Sequence, residues 1–270
     1  VQDEDANAVR RLNQFTGPFI LRRMKSEVLR ELPPKTENVR RVELETEQRK
    51  LYLAAVVDAR EKLRAAKPED KMTVFAVLMR LREICCDPRL VADNWTGSSA
   101  KLDACLELVT EAVAGGHRIL LFSQFTSMLE LLAKRLDEAG VSHFTLQGST
   151  PKPVRAEQVR RFNQGEADVF LISLRAGGTG LNLTAADIVI HYDPWWNLAA
   201  QNQATDRAYR IGQRNPVQVY RLIAQDTIEE KIVELQQAKQ SLADTVTGGA
   251  DGAILSMNPE QLLQLLGEEA

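Results

Sequence analysis

The stretch Val169–Gln213 reads VFLISLRAGGTGLNLTAADIVIHYDPWWNLAAQNQATDRAYRIGQ. Two short runs within it, Val169–Ser173 and Ile188–Tyr192, are rich in Val and Ile and are bounded by turn-forming residues. Runs of about five such residues are typical of buried strands. A glycine-rich loop follows the first run, and an Asp-Pro turn with two tryptophans follows the second. The stretch therefore predicts two buried strands that each lead into a polar loop.

A helix is predicted after the second strand, over residues 198–210. Gln203, Arg207 and Arg210 are spaced i, i+4 and i+7, which places them on one helix face. Paired arginines beside a glycine-rich loop suit a polyanion, because guanidinium forks match phosphate oxygens and stay charged. The alternative is a surface helix with ordinary salt bridges, in which Asp206 is one partner. For two isolated arginines that alternative is favoured, but the surrounding motifs decide against it.

Three motifs in this stretch closely resemble the last motifs of superfamily-two helicase-like ATPases of the SWI/SNF type. Residues 173–184 read SLRAGGTGLNLT, residues 192–197 read YDPWWN, and residues 203–213 read QATDRAYRIGQ. One departure is Tyr209, where the family usually has histidine, and we expect it to tune the site rather than abolish function. Residues 18–35, PFILRRMKSEVLRELPPK, resemble the segment that links the two ATPase lobes in the same family.

Length and composition are compatible with one large domain. The chain has 270 residues, of which 44% are apolar, enough to bury a full core with appendages. No apolar run is long enough to cross a membrane, and no signal peptide is visible. Because the chain starts at Val1 within a helix-like pattern, we expect a fragment of a longer protein. The net charge of −3 argues against a free-standing basic nucleic-acid binder, although local basic surfaces remain compatible with it.

Cysteine and histidine usage predicts an intracellular protein without a metal site. Cys85, Cys86 and Cys105 form neither a disulfide framework nor a CxxC pattern. Cys85 and Cys86 are predicted to be inert core residues. With only three histidines, the sequence predicts no zinc site.

Strands and helices alternate along most of the chain. Predicted strands lie at 37–44, 118–123, 143–147, 169–173, 188–192 and 217–223. A long helix is predicted to begin at Thr46, which would be its N-cap. The other predicted helices lie at 1–32, 73–86, 101–114, 126–139, 151–163, 198–210, 227–242 and 255–266. The apolar side of the Thr46 helix is assigned to Leu51, Leu53, Val56, Val57 and Leu63, and that of the next helix to Phe75, Leu78, Met79, Leu81 and Ile84. Short loops between alternating elements predict an α/β fold, a mostly parallel sheet covered by helices on both faces.

The resemblance implies a RecA-like sheet and four segments. Residues 1–36 would form an inter-lobe linker helix, and residues 37–97 a strand with a helical-hairpin protrusion. Residues 98–225 would form the RecA-like helicase C-terminal lobe, and residues 226–270 a C-terminal brace and tail. The compact protrusion and the lack of long insertions look bacterial or archaeal.

Polar residues are predicted to gather at the carboxyl ends of the strands, where open α/β sheets bind ligands. They are Ser123-Gln124, Gly148-Ser149-Thr150, Ser173 with Arg175, and Asp193 to Asn197. Thr150 is predicted to cap a helix with Pro151 at its first position, which would leave free N–H groups as a phosphate seat. A purely structural cap is the alternative reading of this loop.

The resemblance assigns roles to these residues. The DNA contacts it implies are Ser123, Gln124, Gly148, Ser149, Thr150, Ser173, Arg175, Trp196 and Asn197. The nucleotide contacts it implies are Gly180, Asn182, Gln203, Arg207 and Arg210. Arg207 and Arg210 would act as arginine fingers on the γ-phosphoryl group of ATP.

Half of an ATPase site is missing from the sequence. There is no GxxxxGK[ST] loop and no Asp-Glu pair after a strand, so ATP and Mg²⁺ would be held mainly by an absent N-terminal lobe. We therefore expect the fragment alone to be inactive. Glu229-Glu230 and Asp3-Glu4 are the nearest acidic pairs, and both fall in predicted helices.

The sequence thus predicts the C-terminal lobe of an ATP-dependent double-stranded DNA translocase or remodeller. Two alternatives stay open, a strand-separating helicase of the same superfamily and a non-catalytic binding lobe. A free-standing Rossmann-type enzyme is set aside because GxGxxG is missing at a first strand. Expected partners are double-stranded DNA and the N-terminal lobe of the same chain, with a nucleoprotein target as a further candidate. We expect a monomer with no membrane contact, cytoplasmic and nucleoid-associated if bacterial, and nuclear if eukaryotic.

Overall fold

The structure, a computed structural model, describes residues 32–174, 176, 180–243 and 257–267, without the side chains of 239–243. The predicted linker helix up to residue 31 lies outside the described residues. So do Arg175, residues 177–179, the glycine-rich segment 247–253 and the predicted start of the last helix at 255.

Six parallel strands form one sheet. They are β1 (Lys35–Val42), β2 (Ile119–Ser123), β3 (His143–Leu146), β4 (Val169–Ser173), β5 (Ile188–His191) and β6 (Val217–Ala224). Their order is β1-β6-β5-β2-β4-β3, and every neighbouring pair is parallel. The predicted parallel α/β fold is confirmed. The register pairs Ser123 with Ser173, so the loops after β2 and β4 leave the sheet side by side.

The described residues form eight helices. They are α1 (Thr46–Ala65), α2 (Lys71–Cys86), α3 (Ala100–Ala114), α4 (Thr126–Glu138), α5 (Lys152–Asn163), α6 (Leu198–Thr205), α7 (Ile228–Ala243) and α8 (Pro259–Leu265). A short 3-10 turn spans Pro88–Leu90. None of these helices is long and apolar enough to span a membrane.

The central strands β2, β4 and β5 are buried on both faces, which explains why they read as apolar runs, whereas the edge strand β1 is mostly exposed. On β2, Ile119 and Leu121 face one core cluster, and Leu120 and Phe122 face the other. Helices α3 and α4 cover the first face, whereas the second is covered by α5 and by the chain around α6.

A third core cluster joins the α1–α2 hairpin to α7 and α8. The predicted inward face of α1 is partly wrong, since Leu53 and Val57 are 55% and 56% exposed. Tyr52 and Ala59 are buried in their place. The Tyr52 hydroxyl accepts a hydrogen bond from the Ile228 N–H (2.7 Å), which turns this face of α1 towards α7. Phe75 on α2, also predicted to point inward, is 37% exposed.

Two predicted helix caps are wrong by one residue. Glu45 is the N-cap of α1, and Thr46 is its first helical residue. Pro151 is the N-cap of α5, with the extended backbone that its ring permits. The Thr150 hydroxyl instead accepts a hydrogen bond from the Gln147 N–H within its own turn (3.0 Å).

The buried side chain of His191 should make the free energy of unfolding depend on pH. Its ring is 1% exposed, stacks on Phe122 and pairs through Nε2 with the Thr205 hydroxyl (2.9 Å). Burial, with smaller effects from Arg221 and Lys35, lowers the pKa of His191 from 6.5 to about 3. As the pH falls, His191 binds a proton in the unfolded chain before it does so in the folded chain. Its contribution to the free energy of unfolding is therefore complete above pH 6.5 and is lost as the pH drops towards 3.

We expect His191 to account for about 2 kcal/mol of lost stability at pH 5. The free energy of unfolding in urea, measured from pH 7.5 to 4.5, should decrease less steeply for His191→Gln than for the wild type. Parallel pH profiles for the two proteins would contradict this assignment.

Candidate functional site

Arg207 and Arg210 do not lie on a helix, contrary to the prediction. Helix α6 ends at Thr205, and the chain continues as tight turns in which Arg207 N donates to Ala204 O (3.2 Å). Thr205 is held at this end by its bond to His191. The i, i+4, i+7 spacing therefore does not describe how Gln203 and the two arginines are presented. Gln203 is exposed on α6, one turn before Arg207.

Both arginines are attached to the loop that follows β4. The Arg207 carbonyl accepts a hydrogen bond from Leu183 N (3.1 Å), and Arg210 Nη1 donates to the Leu181 carbonyl (3.2 Å). Asn182 lies between these two contacts and is exposed. Gly180 precedes them, exposed and with φ of +40°, a backbone region that glycine enters most readily. Four of the predicted nucleotide contacts are thus brought together.

The two arginines form a cationic pair that is partly withdrawn from water. Arg207 is 5% exposed, and within the described structure its Nε has no hydrogen-bond partner. Burial, followed by the charge of Arg210, lowers the pKa of the Arg207 guanidinium, and Asp206 opposes the shift. The group still carries its charge at any working pH. Two like charges held close, with a buried donor unused, favour an anionic ligand.

The last residues of the motif have a structural role. Gly212 has φ of +102°, a conformation that L side chains rarely adopt. The Gln213 amide donates to the carbonyls of Ala186 (2.7 Å) and Ala208 (3.2 Å), and its oxygen accepts from the next two backbone N–H groups. This buried side chain fixes the arginine segment against the chain that enters β5. Sequence reasoning missed this role.

Tyr209, at the position where the resembled family usually has histidine, is half-buried against the second face of the sheet. The Lys35 ammonium lies 5.9 Å from its ring centroid, at the outer limit of a cation–π contact. Tyr209 therefore contacts the start of β1.

The predicted serines at the carboxyl edge turn their hydroxyls inward. Ser123 is fully buried, and its hydroxyl donates to Asp193 Oδ1 (2.6 Å). The Ser173 hydroxyl accepts from Ala176 N (3.2 Å). Gln124 is half-buried, and its backbone N–H donates to Asp193 Oδ1 (3.2 Å). These hydroxyls therefore stabilise the loops and do not point into solvent.

The remaining residues of the edge are accessible. Gly148 and Ser149 are exposed and Thr150 is half-buried in the loop between β3 and α5. Trp196 and Asn197 are half-buried after β5. The Asn197 side chain accepts from Ala200 N (3.0 Å) and so caps α6. In parallel order along the sheet, these loops flank those after β2 and β4.

A buried ion pair that sequence reasoning missed lies beneath this edge. Asp193 Oδ2 is 3.2 Å from Nη2 of Arg82 on α2, and both side chains are fully buried. Burial raises the pKa of Asp193, against the effects of Arg82 and Ser123. The position of Asp193 directly after a strand could have marked it as important, but nothing in the sequence pairs it with Arg82.

The described part of the chain has no side-chain cluster typical of a metal site. No group of three His, Cys, Asp or Glu side chains there could hold a metal ion. Glu229, one of the acidic residues considered from sequence, is fully buried and paired with Lys101 Nζ at 2.5 and 2.6 Å. It is therefore committed to a structural ion pair.

Residues 1–90 match the SNF2-related domain, and residues 100–212 match the helicase conserved C-terminal domain. The chain belongs to the SNF2 family. The resemblance drawn from the motifs is confirmed, and the sheet has the RecA-like fold of SNF2 ATPase cores.

Relatives of this SNF2 chain come from bacteria and from mammals. It is 39% identical, over 94% of its length, to an uncharacterized ATP-dependent helicase of Mycoplasma pneumoniae. It is 37% identical, over 90% of its length, to the mouse SWI/SNF-related matrix-associated actin-dependent regulator of chromatin subfamily A member 1. The chain spans only 25% and 24% of these two proteins. A bacterial or archaeal source stays a prediction.

The SNF2 chain is similar to solved structures of SWI2/SNF2 ATPases. The Sulfolobus solfataricus SWI2/SNF2 ATPase core in complex with dsDNA matches 97% of the chain with a TM-score of 0.73 and 30% identity, and the chain covers 56% of it. The C-terminal domain of the same ATPase matches 87% of the chain with a TM-score of 0.71 and 27% identity, and is covered completely.

The two glutamines of the arginine motif should respond differently to substitution. Gln213→Ala removes four hydrogen bonds around buried backbone groups, and we expect it to lower the free energy of unfolding by about 2–4 kcal/mol. Gln203→Ala is the matched control, since this exposed side chain should change stability by less than about 0.5 kcal/mol. Equal effects in urea unfolding would contradict the structural role of Gln213.

Proposed function

We propose that this chain is the C-terminal lobe of an ATP-dependent double-stranded DNA translocase or remodeller. In this proposal Arg207 and Arg210 act as arginine fingers on ATP bound to an N-terminal lobe of the same protein. The observation that carries it is the pair itself: two arginines anchored to the 181–183 loop, with a buried donor of Arg207 left without a partner.

The geometry suits stabilisation of phosphoryl transfer. Negative charge on the γ-phosphoryl group must be neutralised in the transition state, and fixed donors do this without reorganising. Arg210 uses Nη1 on the Leu181 carbonyl, which orients the fork and leaves its other donors for a ligand. Arg207 has already lost most of its water, so a phosphate oxygen would meet it at little desolvation cost. Gly180, Asn182 and Gln203 would complete this nucleotide face.

The rest of the ATP site would be supplied by the N-terminal lobe. The sequence contains no phosphate-cradling GxxxxGK[ST] loop, and the described residues offer no metal cluster. We therefore assign Mg²⁺ and the β- and γ-phosphates mainly to that lobe. The chain alone is expected to be inactive because neither half of the site suffices.

The carboxyl edge is proposed to grip duplex DNA. The exposed Gly148-Ser149 turn leads to α5, whose first N–H groups have no side-chain cap in the described structure. Such a helix start, with its positive dipole end, accepts a phosphate. Arg175, Thr150, Trp196 and Asn197 would extend this surface. Ser123 and Ser173 are buried and their hydroxyls are engaged internally, so they would support this surface from beneath. The half-buried Gln124 side chain would contact the DNA.

The ligand, oligomeric state and location of the whole protein are part of the same proposal. A related core has been solved with double-stranded DNA, which supports a duplex as the ligand of this edge. We propose a monomer that acts on duplex DNA or on a nucleoprotein, nucleoid-associated if bacterial and nuclear if eukaryotic.

Two experimental outcomes would favour an alternative function. Unwinding of a duplex would favour a strand-separating helicase, and absence of hydrolysis would favour a binding lobe.

The finger role predicts a selective loss of turnover. In the full-length protein, Arg210→Ala should lower the duplex-stimulated kcat for ATP about 100- to 1,000-fold. The matched control is Arg214→Ala, an exposed arginine four residues later, which should stay within about twofold. Equal turnover in both variants would contradict the finger role.

The half-site predicts that the 270-residue chain alone does not hydrolyse ATP at a measurable rate. Phosphate release should match a protein-free blank, with and without duplex DNA. A rate that disappears in Arg210→Ala would show that the chain holds a complete site and would overturn this prediction.

Because Trp196 follows β5 at the carboxyl edge of the sheet, we expect it to contribute to DNA binding. Trp196→Ala in the full-length protein should raise the Kd for a short duplex about tenfold, the cost of losing one aromatic contact. Trp95→Ala is the control, because this half-buried tryptophan is not one of the proposed DNA contacts. An unchanged Kd for Trp196→Ala would remove Trp196 from the DNA surface.

A further inference from the structure

Arg82 belongs to the helical hairpin, yet its guanidinium lies beneath the proposed DNA edge. The residue is on α2 and is fully buried. Its Nη2 donates to Asp193 Oδ2 (3.2 Å) and to the Pro194 carbonyl (2.5 Å), both in the turn after β5. Its partners are more than a hundred residues away in sequence and on a different element.

The flat face of Arg82 is covered by aromatic rings. Its Cζ lies 4.1 Å from the centroid of the Trp196 ring and 5.5 Å from that of Phe125. A guanidinium stacks on such faces through cation–π attraction, which is strongest with tryptophan and increases when water is excluded. The Trp196 ring therefore packs directly against the guanidinium of Arg82.

The arrangement is not one that stability alone would favour. In the described structure, Nε and Nη1 of Arg82 have no hydrogen-bond partner although both are buried. Unpaired buried donors are costly, and buried ion pairs can often be replaced by apolar residues of similar volume without loss of stability. A charged residue at this position is better explained by the geometry that it imposes.

Asp193 connects Arg82 to the loop that follows β2. Its carboxylate accepts from Arg82, from the Ser123 hydroxyl (2.6 Å) and from the Gln124 N–H (3.2 Å). The Gln124 side chain also reaches back to Met79 Sδ on α2 (3.8 Å). One buried cation–carboxylate pair thus connects the hairpin to the loops after both β2 and β5.

We propose that Arg82 is a positioning residue for DNA binding, which orients Trp196 by stacking and Gln124 through Asp193. The inference rests on the proposed DNA-binding function of the carboxyl edge. Because Arg82 belongs to α2, a shift of the hairpin would move the loops after β2 and β5 together. The position of the hairpin would thus affect the DNA edge as well as the packing of the core.

A second buried ion pair provides a matched control. Lys101 and Glu229 are also fully buried, and they join α3 to α7. The Lys101 ammonium approaches the Tyr192 ring (5.3 Å) but bonds to none of the proposed DNA contacts. Loss of this pair should weaken folding without reorienting Trp196.

The test uses the full-length protein and a short duplex. Arg82→Met should raise the duplex Kd about tenfold and leave the KM for ATP within about twofold. Arg82→Lys keeps the charge beside Asp193 but loses the planar stack, and it should raise the Kd by about threefold to tenfold while preserving the fold. Lys101→Met should lower the unfolding midpoint and leave the Kd of the folded protein within about twofold.

A spectroscopic readout separates positioning from general destabilisation. In this chain with Trp95→Phe and Trp195→Phe, emission comes from Trp196 alone. Arg82→Lys should increase its quenching by acrylamide by about twofold, whereas Lys101→Met should leave it unchanged. Unchanged quenching in Arg82→Lys would overturn the inference.

The binding outcomes are distinguishable. If Trp196→Ala weakens the duplex Kd but Arg82→Met and Arg82→Lys do not, the positioning role fails and the DNA edge stands. Equal weakening by Arg82→Met and Lys101→Met would assign the effect to stability and overturn the inference. If Trp196→Ala itself leaves the Kd unchanged, Trp196 is not a DNA contact, and the inference falls with that part of the proposed function.

Discussion

A buried charge at the carboxyl end of one strand organises the polar edge of this lobe. Asp193 is held by Arg82 and accepts bonds from Ser123 and Gln124, so three separate segments share one carboxylate. Breaking such a pair costs about 3–5 kcal/mol because an uncompensated charge stays buried. The loops around it are therefore fixed before any ligand arrives, which reduces the entropy lost on binding.

The same strand connects this edge to the arginine segment. His191, two residues before Asp193, bonds to Thr205 at the end of α6 (2.9 Å). The turns that carry Arg207 and Arg210 begin there and are tied back by Gln213 to the chain entering β5. One continuous stretch thus carries the arginine pair, proposed to bind phosphate, at one end and the proposed DNA edge at the other. If both proposals hold, the two sites are connected by a short chain of hydrogen bonds.

Sequence reasoning predicted the central strands of the sheet well, because they are buried on both faces and buried Val/Ile runs such as Val169–Ser173 have few alternatives. It failed where a long-range contact decides the outcome. The helix through Arg210 was wrong because the tertiary bond between His191 and Thr205 lies outside any local pattern. Ser123 was predicted to contact DNA, and its hydroxyl bonds instead to Asp193, a partner 70 residues away that no local pattern indicates. Arg82 gave no signal, since its partners lie 111 and 112 residues further along the chain.

The proposed role of Arg210 is to stabilise the transition state of ATP hydrolysis. It is tested most directly by the affinity of the full-length protein for ADP with aluminium fluoride, a mimic of the transferring phosphoryl group, compared with a non-hydrolysable ATP analogue. We expect Arg210→Ala to weaken binding of the mimic by a factor similar to its loss of kcat, and to leave binding of the ATP analogue nearly unchanged. Equal weakening of both ligands would reduce Arg210 to a ground-state contact and contradict the account.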